Sequence, residues 1–111
     1  MGDNGFAAQL AEDLSEEDLR LVLSVFRTDV QRLTDTMAGA ATAEDGTAFR
    51  RAAHGLAGAA GAVGAARLEA ACRAAMAEAG PLVGLLAEIR AWGEAALGDV
   101  ALVLTRLDGQ G

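Results

Sequence analysis

The chain has 111 residues, 52% apolar and only 4% aromatic, with a formal net charge of −7 and no lysine. That length makes one domain with one core, and the acidic balance argues against nucleic acid, whose phosphates need clustered cations. One cysteine excludes an internal disulfide, the acidic start is not a signal peptide, and no apolar run spans a bilayer, so a cytoplasmic protein is expected.

Residues 1–14 read as a lead-in, with a short helix around Phe6 to Ala11. Ser15 is a good N-cap, and Asp18 three positions on resembles a capping box. Glu16, Glu17 and Asp18 suit the positive end of a helix dipole. A stripe of Leu19, Val22, Leu23, Phe26, Val30, Leu33 and Met37 then has helical spacing over five turns. Gly39 and the small residues after it predict its end. Thr42 to Gly46 reads as a loop, with Thr42 or Asp45 capping a second long helix that runs to about Val63. Gly64 is the expected C-terminal stop. A third helix follows from about Ala65 to Ala79, with Leu68, Cys72, Ala75 and Met76 inward. Gly80-Pro81 is the strongest break, and proline is tolerated at a first helical position. The last helix reads from Pro81 to about Leu107, and residues 108–111 read as a polar tail. The fold class is therefore all-α: an antiparallel up-and-down four-helix bundle over residues 15–107, preceded by a short lead-in helix.

The most informative stretch runs from Phe49 to Met76 and holds the only histidine, His54. At about 100° per residue, Phe49, Ala53, Leu56, Ala60 and Val63 form one apolar stripe, and His54 lies well away from it. The same reading puts Arg50 and Arg51 on the outer surface one turn before His54, and Ala57, Gly58 and Gly61 after it. Interior glycine costs a helix roughly 1 kcal/mol relative to alanine. Gly55, Gly58 and Gly61 in two turns therefore point to close approach by a partner. A neutral imidazole nitrogen is a nucleophile near neutral pH, and guanidinium forks stabilise phosphoryl groups. His54 is thus a candidate phosphate acceptor. No serine is placed for a triad, and one His with one Cys is too few for a metal site. Cys72 falls on the core stripe, Trp92 flanks the stripe of the last helix, and the glycines form no nucleotide loop.

Ala53-His54, Leu56, Gly58, Gly64-Ala65, Leu68 and Cys72 resemble the signature of histidine-containing phosphotransfer (HPt) domains. The likeness extends to Val22–Phe26, to Asp45 at the start of the histidine helix, and to the long closing helix. The resemblance implies a phosphoryl carrier of a two-component phosphorelay, with no kinase active site of its own. His54 would be phosphorylated by the aspartate of one receiver domain and pass the group to another. Gly58 would let the receiver approach. The expected partners are response-regulator receiver domains or a hybrid histidine kinase, met by a monomer. No cofactor is expected on this chain; Mg2+ is expected on the receiver. The family usually has lysine three residues after the histidine, where this chain has Ala57, and Arg50 and Arg51 would stand in. A second reading is a helical adaptor or inhibitor that binds through the His54–Gly58 face without phosphoryl transfer.

Overall fold

The computed structural model describes residues 5–109 as five helices. They are α1 (Phe6–Asp13), α2 (Glu16–Thr42), α3 (Gly46–Val63), α4 (Ala66–Ala77) and α5 (Leu82–Gly109). No strand occurs among the described residues. Helices α2 to α5 close into a four-membered ring in which α2 packs on α3, α3 on α4, α4 on α5 and α5 on α2. The short α1 lies against α5, α2 and α3. Residues 1–4, 110 and 111 lie outside the described part, and the start of the lead-in and the end of the tail fall there.

Local chemistry sets the helix ends. The Ser15 hydroxyl accepts the Asp18 backbone N–H at 3.2 Å, as the capping pattern predicts. The Asp45 carboxylate accepts the Ala48 N–H at 3.0 Å, so Asp45 and not Thr42 caps α3. Gly64 stops α3 at φ 87, a left-handed conformation that glycine adopts without a side-chain clash. The Ala65 N–H then returns to the Ala60 carbonyl at 2.9 Å and the Gly64 N–H to Gly61, the bonds of a Schellman turn. The Pro81 carbonyl accepts the first bonds of α5, from Gly84 and Leu85.

Several boundaries differ from the sequence reading: α1 continues past Ala11 to Asp13, and α4 ends at Ala77, short of Ala79. Helix α2 does not end at Gly39 but continues to Thr42, because Ala40 and Ala41 are buried and hold the last turn in the core. Helix α5 continues to Gly109, and Asp108 in its last turn pairs with Arg20 of α2 at 2.9 Å.

The core is made of leucine, valine and alanine around three larger anchors, Phe26, Phe49 and Met37. Leu19, Leu23, Val30, Leu56, Leu68, Ile89 and Val100 fill the space between. The small residues let the helices approach. A Cβ at Gly93 of α5, for example, would sit 3.5 Å from Val30 of α2, in ordinary contact. Phe6 of α1 closes one end of the bundle, its ring edge-on to Phe26 at 5.6 Å.

Candidate functional site

The α3 stripe of Phe49, Ala53, Leu56, Ala60 and Val63 is buried throughout. His54 is exposed near the middle of the same helix, as its angular position predicts. Side chains on a helix lean toward its N-terminus, so the imidazole leans over the turn that holds Arg50 and Arg51. Both arginines are exposed, and neither forms an ion pair among the described residues. They do not lie alike. The Arg50 guanidinium turns back over Gly46, where a Cβ would come within 3.1 Å of Nη1. Arg50 thus faces the end of the bundle, where it shares a depression with Glu44, Glu78 and Pro81.

On the other side of His54 the three small residues part company. Gly58 is open: a Cβ there would meet nothing within 4 Å. Ala57 is buried at 1% exposure, not on the outer surface as helical spacing suggests. One turn before Gly61, which meets Glu69 of α4, it shares that flank of α3 by helical spacing, and a methyl group is small enough to be covered completely. A longer side chain at 57 would have to leave along the α3–α4 seam. Gly61 is exposed, but the Glu69 carboxylate of α4 lies across it, 3.1–3.2 Å from where a Cβ would stand. Gly55 faces α2, with Leu33 3.6 Å from its Cβ position.

Beyond Gly58 the surface becomes apolar. Leu21, Val22, Val25 and Phe26 of α2 and Ala59, Ala62 and Val63 of α3 line a shallow groove of about 340 Å³. Leu21 is 64% and Val25 52% exposed, large fractions for such side chains. Their i, i+4 spacing off the core stripe is the signal in the sequence that marks this strip. Nothing in the spacing marks Glu69, whose seat depends on the absence of a side chain at Gly61.

Cys72 is a buried free thiol beside Leu68, as its stripe predicts, and burial pushes its thiol up to about 11. Trp92 is half-buried, with the Arg67 guanidinium 5.0 Å above its ring. Among the described residues no cluster of acids, His and Cys could hold a metal, and no helix is long and apolar enough to cross a membrane.

An exposed imidazole on the middle of a bundle helix, beside an open glycine, defines the site: a helical bundle with its one histidine facing outward. A family model described as the Hpt domain matches residues 21–108, most of the chain and all of the site. The chain belongs to the HPt domain family, whose members are phosphocarrier modules of two-component systems that meet receiver domains and kinases. Comparison with curated proteins and with solved structures gave no match.

Proposed function

We propose that this chain is a phosphoryl carrier in which His54 accepts the group from a receiver-domain aspartate and returns it to another receiver. The observation that carries this reading is the exposed His54 with an open Gly58 one turn away on the same face. A lone pair on an imidazole nitrogen attacks phosphorus, a P–N bond forms, the acyl P–O bond breaks, and the aspartate leaves as a carboxylate. The second ring nitrogen releases its proton to water as charge builds. The return step reverses these changes.

Each neighbour has a role in this scheme. Gly58 leaves room for the backbone of α3 to meet the partner. Gly61 lets Glu69 lie flat and keeps that edge low. Leu21, Val25 and Ala62 supply apolar area for docking. Arg51 is the free cation nearest the phosphoryl group along α3, and it partly replaces the family's lysine, for which Ala57 offers no charge. Mg2+ belongs to the receiver. The carrier works as a monomer in the cytoplasm and needs no cofactor or ATP site of its own.

The direct test is incubation with phosphorylated receiver domains, with His54→Gln as control. A phosphoryl adduct that is acid-labile and alkali-stable, present in the wild type and absent in His54→Gln, is the expected result. Ala57 is the feature that favours the adaptor reading. Tight receiver binding with no adduct at His54 would establish that reading instead.

A further inference from the structure

Helix α5 is apolar on two opposite sides. One side holds Leu86, Ile89, Ala96 and Val100 in the core. The other presents Ala87, Ala91, Ala95, Gly98 and Leu102 to solvent, at spacings of three and four residues. Leu102 is 50% exposed. A helix that is apolar all round is ordinarily covered all round. Helices α1, α2 and α4 pack against α5, yet none of them covers this row. Ala95, Gly98 and Leu102 instead line an open depression of about 530 Å³ beside α1.

Two opposite charges mark the ends of one edge of the row. Glu88 and Arg106 are 18 residues apart, which is five whole turns, so they share that edge about 27 Å from each other. Both are exposed, and neither forms an ion pair among the described residues. Each is nine residues from Leu97, one before it and one after.

We infer that this face of α5 pairs with the same face of a second copy of this chain, antiparallel, about a two-fold axis at the level of Leu97. That operation sets Glu88 level with Arg106 of the second copy, and Arg106 level with its Glu88, so one self-complementary contact closes two ion pairs. It sets Leu102 beside Ala91 of the second copy, large against small, and Ala95 and Gly98 at the centre let the two backbones approach. Glu94, on the other edge, falls level with Ala101, so no like charges meet. A parallel copy would oppose Glu88 to Glu88 and Arg106 to Arg106. Helix α5 lies across the ring from α3. Both His54 faces therefore stay open in the pair, and each copy remains a complete carrier on its own. The pairing is independent of the phosphotransfer reading, and its test uses no phosphate.

One helix from each copy makes a small contact, below about 1,200 Å², where association is weak. It is measured by sedimentation equilibrium of the full chain at up to about 1 mM. Salt at about 0.15 M screens the repulsion between two chains of net charge −7 beyond about 8 Å. The wild type should approach twice the 11.2 kDa of one chain as concentration rises. Glu88→Arg opposes arginine to arginine twice, and Arg106→Glu opposes glutamate to glutamate twice. Each variant alone should associate at least tenfold more weakly. Mixed in equal amounts, the two variants regain both ion pairs and should again reach twice the mass of one chain. Leu102→Asp should weaken association without touching either charge. All three positions face water, so melting temperatures should stay close to the wild type. A wild-type chain that remains at 11.2 kDa throughout would overturn the pairing, and so would variants that associate as the wild type does. Association lost in both charge variants and not regained in their mixture would overturn the antiparallel arrangement.

Discussion

His54 and its neighbours show how much of a residue's role depends on where its side chain leans. Arg50 and Arg51 are equal candidates by spacing, yet Arg50 is turned toward Gly46 and Arg51 is not. Exposed charge contacts contribute about 0–1 kcal/mol, which corresponds to at most about a fivefold change in rate. Arg51→Ala should therefore slow phosphoryl acceptance about two- to fivefold, while Arg50→Ala should stay near the wild type. A transfer time course on the two single variants checks this, and equal losses would mean that Arg50 swings back when the phosphoryl group arrives. Cys72 shows a different dependence. Its folded thiol holds its proton up to about pH 11, whereas the unfolded thiol titrates near about 8.5. A raised folded value means that the stabilising contribution is complete below the unfolded value and is lost as pH rises through the folded one. Denaturant midpoints should therefore fall from about pH 8.5 to 11, and more steeply in the wild type than in Cys72→Ala. Equal slopes would place the thiol in contact with water.

Helix α1 is the element least able to hold itself. It has 8 residues, and its own N-cap, Gly5, offers no side-chain bond. Isolated helices of that length are unstable in water. Burial of Phe6 and Ala7 holds it, and the Asp99 carboxylate of α5 accepts the Ala7 N–H at 3.2 Å. Asp99 thus caps a helix 92 positions away in sequence. Asp99→Ala should cost about 1 kcal/mol, as other cap losses do, and should speed amide exchange in α1 before the rest of the bundle. Unchanged exchange at Ala7 would show that Phe6 alone anchors the helix. By contrast, α3 carries its own signals at both ends, Asp45 and Gly64. The helix that presents His54 is therefore fixed in length independently of α1.

For the whole molecule, what matters is that one broad face stays low and partly apolar. Leu21, Val25, Gly58 and Ala62 lie on two helices that pack side by side, so α2 and α3 together form that face. Gly58→Glu adds bulk and negative charge where nothing lies within 4 Å. The bundle should fold, and transfer from a receiver should fall at least tenfold, since like charge at an interface costs several kcal/mol. Leu21→Asp with Val25→Asp should also weaken receiver binding, with little loss of thermal stability because both side chains already face water. A melting curve paired with a transfer assay checks both. Wild-type transfer in the folded variants would move the docking face elsewhere.

The helices, their caps and the outward position of His54 were legible in the residue order because each depends on local chemistry. Ser15, Asp45 and Gly64 act within one turn, and the 3.6-residue period fixes which side chains share a face. The HPt motif around His54 was legible for the same reason: its residues are closely spaced along α3 and α4. Packing decided the rest. Periodicity gives an angle on one helix, but only the neighbouring helix determines whether that angle is covered. Ala57 is therefore buried while Gly58, the next residue, is open. The continuation of α2 to Thr42 depends on Ala40 and Ala41 meeting the core. The Asp99 cap, the Arg20–Asp108 pair and the Glu69 carboxylate over Gly61 join residues from different helices. Such contacts arise from how helices pack against one another, and no local pattern encodes them.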